Sequence, residues 1–80
     1  MRIAQVEWLD AWIGTDDIKI KKARKLKCVR RFTVGYLLSH DEDRIVMSTD
    51  YFPAKEVKEA SAPMVIPMGM VVEWFEFDVD

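Results

Sequence analysis

The 80 residues contain one cysteine and one histidine. A lone cysteine excludes an intrachain disulfide, and the two together exclude a Cys/His zinc site within one chain. No apolar run approaches the roughly 18 residues that cross a bilayer, so no membrane association is expected. Repeats and low-complexity tracts are absent. The opening run Met1 to Trp8 does not read as a signal peptide, because Gln5 and Glu7 break its apolar stretch. With so little cysteine, the expected setting is a reducing cytoplasm. What is present is globular in kind: half the residues are hydrophobic and about a third are charged. A chain this short makes one domain, residues 1–80, since either half would be too small to hold a core.

The charge is split along the chain. Net charge is −2, from 12 basic and 14 acidic residues. Residues 1–40 carry 9 basic and 4 acidic side chains, and residues 41–80 carry 3 and 10. Eight of the basic residues fall between Lys19 and Arg31. Such a block attracts phosphates or an acidic protein surface, or is simply a solvated face. The acidic half repels a long polyanion and so argues against duplex binding. It leaves a small anion, or a second copy of the chain, as a partner.

Alternation and punctuation set out the elements. Ala4, Val6 and Trp8 share one face of a first strand within 3–13, which Gly14 ends. Thr15-Asp16-Asp17 reads as a helix start, with Thr15 as the cap and the two Asp at the positive end of the dipole. Ile20, Ala23 and Leu26 then mark the inner face of a short amphipathic helix over 16–26. Cys28 to Ser39 is a long strand with Phe32, Val34, Tyr36 and Leu38 on one face. Gly35 inside it signals a bend or a close backbone approach. A polar turn, His40 to Asp43, leads to a third strand over 44–52. Residues 54–63 are a polar loop with room for one helical turn. Met64 to Ile66 and Met70 to Phe77 are two further strands, separated by a Pro67-Met68-Gly69 turn in which glycine supplies a positive φ.

Five short antiparallel strands and one helix are too few for a sandwich. They close, or nearly close, into a small barrel. Its expected core is Val6, Trp8, Val34, Tyr36, Ile45, Met47, Ile66 and Val72, with Cys28 packed at a strand start.

Gly35-Tyr36-Leu37-Leu38-Ser39-His40-Asp41, followed by Ile45-Val46-Met47, resembles the first signature of Sm-like proteins. Ile66-Pro67-Met68-Gly69-Met70-Val71-Val72 resembles the second. The likeness spans roughly residues 30–77. It implies a short helix on a five-stranded bent barrel that assembles into rings. Sm proteins hold uracil with an asparagine after the turn and an arginine in the second signature. Here Ile45 and Pro67 or Met68 stand at those places, so that uridine site is not implied. The helix also follows the first strand instead of preceding it. The chain is similar as well to small phage and prophage proteins of unknown function that share a Val-Glu-Trp start, a Gly-Tyr-Leu strand and an Ile-Pro-x-Gly turn.

No constellation points to catalysis. Ser39-His40-Asp41 has the residue types of a hydrolase triad, but consecutive residues on a strand end point in alternating directions. Asp41 is expected to bond its own backbone in a turn. Asp41-Glu42-Asp43 lacks the glycine bend and the ligand number of a calcium loop. The chain is therefore expected to be a non-enzymatic, oligomeric small barrel with no cofactor. It is expected to bind a nucleotide or short RNA at a subunit interface, and in a phage setting it would act in counter-defence within the host cytoplasm. The candidate ligand residues are Lys22, Lys25, Arg30, Arg31 and Tyr51. Arg30 and Arg31 offer forked guanidiniums, and Tyr51, with Trp12, Phe52 and Phe75, is placed to reach a surface. The other reading is a protein–protein adaptor or inhibitor, with a host protein as its partner and no nucleic-acid ligand.

Overall fold

The computed structural model describes residues 1–53 and 58–79. Chain order is β1 (Arg2–Asp10), α1 (Ile20–Ala23), β2 (Val29–His40), β3 (Arg44–Ser48), β4 (Asp50–Phe52), β5 (Glu59–Ser61), β6 (Met64–Pro67), a 3-10 turn (Met68–Met70) and β7 (Val71–Asp78). Five strands form one antiparallel sheet in the order β6-β3-β2-β1-β7, and β4 and β5 form a separate two-stranded ribbon. The protein is mainly β, as expected. The sheet is not closed into a barrel: β6 and β7 are its two edges. No helix among the described residues is long and apolar enough to cross a membrane.

The core follows the inward face of β1. Ala4 and Val6 are fully buried and Trp8 nearly so, joined by Leu37, Ile45, Met47 and Ile66. Met68, Met70, Val71 and Trp74 pack against this cluster, so the 3-10 turn and the start of β7 cover what the open sheet would expose. The Met68 N–H donates to the Asp43 carbonyl at 2.8 Å, tying that turn to the β2–β3 turn. His40 meets Trp74 edge-on, with ring centroids 4.9 Å apart. The sheet is thus curled far enough for the end of β2 to touch its edge strand.

Val34 and Val72, expected in the core, are exposed, and Tyr36 is only half-buried. Register explains the inversion on β2. Ala4 pairs with Gly35 and Val6 with Thr33, so the inner face of β2 is Thr33, Gly35 and Leu37. The Trp8 indole N–H needs an acceptor once buried, and it donates to the Thr33 hydroxyl at 2.9 Å. Gly35 is there for a close approach, since a Cβ at this position would lie 2.6 Å from the Ser48 carbonyl oxygen. Two bulges displace single apolar residues. The β1–β7 register jumps from Glu7↔Glu73 to Trp8↔Val71 and leaves Val72 out. The β2–β3 register jumps from Leu37↔Met47 to Ser39↔Val46 and leaves Leu38 out. A bulged residue opposes no partner, so its side chain loses its place in the alternation.

The helix is the second correction. It is one turn, Ile20–Ala23, whose cap position is Lys19 with no side-chain cap bond; Thr15 caps nothing. Ile20 and Leu26 are exposed. The expected third strand also breaks after Ser48, where the Ser48 hydroxyl donates to the Asp50 carbonyl at 3.0 Å and β4 swings out to pair with β5. Part of the expected 54–63 loop is therefore a strand, and its residues 54–57 lie outside those described. Gly69 has a negative φ, and the one positive φ among non-glycine residues described is at Ala62, at 50°.

The molecule is elongated. Its radius of gyration is 16.2 Å and its longest extent 54 Å, where a compact chain of this length has a radius near ~12 Å. It exposes 6598 Å², against about 5,000 Å² for a compact protein of the same mass.

Candidate functional site

The expected ligand residues fall in three places. Arg30 and Arg31 are neighbours on β2 and so project from opposite faces of the sheet. On the outer face the Arg30 Nε donates to Glu7 at 2.9 Å, and its guanidinium lies over the Phe32 ring, 4.9 Å from the centroid. On the inner face the Arg31 Nε meets Asp10 at 2.7 Å. Both acids come from β1, not from the acidic half of the chain. In each pair the guanidinium is more than half exposed while the carboxylate is partly covered, and such solvent-accessible pairs contribute little stability, on the order of 0–1 kcal/mol. Their effect is local: neither guanidinium is a free fork for a phosphate, and the two do not converge. Sequence reasoning missed Glu7 and Asp10 because an 18-residue connection, 11–28, separates β1 from β2 and hides the register.

Lys22 is on α1 and Lys25 just beyond it, both exposed. With Lys19, Lys21, Arg24 and Lys27 they form a group of six cations, none of which has an acid partner within 4.0 Å among the described residues. Among the described residues this is the largest group of cations without an acid partner. It sits on a connection whose residues 11–28 are all exposed except the half-buried Ala23.

Tyr51 lies elsewhere. Its ring meets Tyr36 edge-on at 4.9 Å. It lines a cavity of about 530 Å³ with Met1, Leu38 and Lys58, which includes none of the other four candidates. The structure thus places Lys22 and Lys25 on the same turn of the connection and Arg30, Arg31 and Tyr51 on other elements.

Two ordered polar clusters are structural. The Asp41 carboxylate accepts the backbone N–H groups of Asp43 at 2.8 Å and Arg44 at 3.0 Å, the turn bond that its position implied. Those two donors hold its carboxyl below the usual carboxylate range. Arg2 bonds Glu76 at 2.6 Å beside Asp78, which raises its already high pKa. Cys28, expected in the core, is exposed.

One patch of exposed apolar surface lies on the outer face of β2, β1 and β7. Phe32, Val34, Phe75 and Phe77 are each half or more exposed there. No protein family, curated protein or solved structure matches the chain.

Proposed function

We propose that this protein is a non-enzymatic, self-associating β protein of Sm-like plan whose cationic connection binds a nucleotide or short RNA at or beside a subunit interface. The observation that carries the anionic ligand is the set of six cations over 19–27 that have no acid partner among the described residues. A folded chain with net charge −2 had acids to spare for them, yet Arg30 and Arg31 alone in this stretch are neutralised. Phosphate contacts of this kind give affinity that falls steeply with salt.

The strand order supports the Sm-like plan and the self-association. The last two strands of the sheet, separated by a 3-10 turn, stand at opposite edges, β6 beside β3 and β7 beside β1. An exposed edge strand is a template for another chain, and two unlike edges on one protomer suit head-to-tail pairing that closes as a ring. The surface of about 1,600 Å² in excess of a compact monomer fits the same reading. The likeness to phage proteins extends it to counter-defence by sequestering a host nucleotide signal.

Two measurements test this. Sedimentation at micromolar concentration and moderate salt should show a species heavier than 9.4 kDa; a monomer there removes the subunit interface. Titration of a labelled single-stranded octaribonucleotide at 50 and 200 mM salt should show affinity that drops at least tenfold. Absence of binding at the lower salt removes the ligand.

A second reading has its own support. The exposed Phe32, Val34, Phe75 and Phe77 form an apolar face of the kind that marks protein contacts. An adaptor or inhibitor using that face would bind its protein partner with little salt dependence.

A further inference from the structure

Three tryptophans are present, and their surroundings differ. Trp8 is buried and Trp74 packs on the core. Trp12 lies beyond the end of β1, at the root of the cationic connection, and is 47% exposed. It is nevertheless held in place. Its indole N–H donates to the Lys27 carbonyl at 2.8 Å, which ties the chain leaving β1 to the chain entering β2. Gly14 runs against the ring edge, where a Cβ would lie 3.3 Å from Cζ3. The indole's single polar group is therefore satisfied within the chain, and its π surface is left over.

That surface borders two clefts. One, of about 270 Å³, is lined by Trp12 with Lys27 and Cys28, and the other, of about 400 Å³, by Trp12 with Thr15, Asp16 and Ile18. Leu26 and Gly14 line both. An oriented aromatic ring beside apolar walls, with unpaired cations on the same connection, is the arrangement that takes a nucleobase on the ring and its phosphates on the lysines. A ring already fixed by its own hydrogen bond adds little ordering cost on binding.

We infer that Trp12 is a stacking platform for a nucleobase, with the adjoining cations of residues 19–27 holding the phosphates. This rests on the nucleotide or short-RNA reading above and assigns its base-binding residue, which the charged candidates lacked. Arg30, Arg31 and Tyr51 have no part in it. Thr15 and Asp16 are the polar residues in the otherwise mainly apolar lining of the larger cleft, and their side-chain oxygens are of the type that accepts hydrogen bonds from base amino and imino groups.

The test uses the full-length chain and three probes: a labelled single-stranded octaribonucleotide of mixed sequence, an abasic strand of equal length and charge, and guanosine monophosphate. The wild-type protein should bind the octamer more tightly than the abasic strand. Trp12→Ala should weaken octamer binding roughly 5- to 150-fold, the range of one base–aromatic stack, and leave the abasic strand unchanged. Trp12→Phe keeps a ring without the indole N–H and should stay within about threefold of wild type if stacking dominates. Octamer binding by Trp12→Ala equal to wild type overturns the platform while leaving the nucleic-acid reading intact. Absence of wild-type binding to any probe at low salt overturns both. Should Trp12→Ala fail to fold, the abasic comparison and Trp12→Phe decide: equal affinity for the abasic strand and the octamer overturns the platform. Binding of guanosine monophosphate as tight as that of the octamer identifies a free nucleotide as the ligand, and octamer binding alone identifies an RNA strand.

Discussion

The sheet and the 11–28 connection are built from similar apolar residues with opposite outcomes. Ile45 and Ile66 are fully buried, whereas Ile13 is 93% and Ile20 69% exposed. Hydrophobicity does not separate them; a paired position on the covered face of the sheet does. Each buried isoleucine sits in a ladder, Ile45↔Ile66, which fixes its direction and brings neighbours to it. Residues 11–28 have no strand partner and one helical turn, and a single turn stabilises itself poorly. A sheet can therefore be stable and specific while the segment joining two of its central strands stays on the surface, holding charge and an aromatic ring in solvent.

The widest separation between the two regions should come from truncation. Ile45→Ala should cost about 2–5 kcal/mol, from lost transfer energy plus a cavity that a tight sheet cannot collapse, while Ile13→Ala should cost about 0.5 kcal/mol or less. Equal losses in chemical denaturation would mean that the connection is packed in solution. Gly35→Ala should come next, at about 1–3 kcal/mol, because the added methyl meets a backbone carbonyl and not a side chain that can move aside.

Asp41 should show a smaller, pH-dependent effect. Its folded-state pKa is lowered by the Asp43 and Arg44 N–H groups. Its contribution is thus complete above the ordinary carboxylate pKa and is lost as pH falls through the lowered value. Asp41→Ala should melt below wild type at pH 7, and the gap should narrow on acidification below about pH 4. A gap that is constant from pH 7 to pH 2.5 would show that the carboxylate charge is irrelevant to the turn.

The smallest effect belongs to the connection. Thr15→Ala should change stability by about 0.5 kcal/mol or less, where a true helix cap would cost about 1 kcal/mol. A full cap-sized loss would restore the longer helix that the sequence pattern proposes.

Much of the fold was legible because it is local. Alternation in 4–8 located β1 and its buried face. The Asp41 turn, the close approach at Gly35 and the buried Ile45, Met47 and Ile66 each followed from a residue type in its immediate context. The basic block was also visible, and its unpaired part, Lys19 to Lys27, is where the candidate site lies. The register between strands was not legible. It decides that Thr33, Gly35 and Leu37 face inward where Phe32 and Val34 are the more apolar set. It also decides that Val72 falls in a bulge, and that Arg30 and Arg31 meet Glu7 and Asp10.

The sequence by itself determined a β-rich chain, the turn at Asp41, most of its buried positions and an uneven distribution of charge. Each of these depends on the chemistry of a few adjacent residues. Only the tertiary structure decided which face of β2 is buried, that the sheet stays open with β6 and β7 at its edges, and which cations remain unpaired. Those outcomes depend on contacts between residues distant in the chain, where a shift of one residue reverses every side chain's direction.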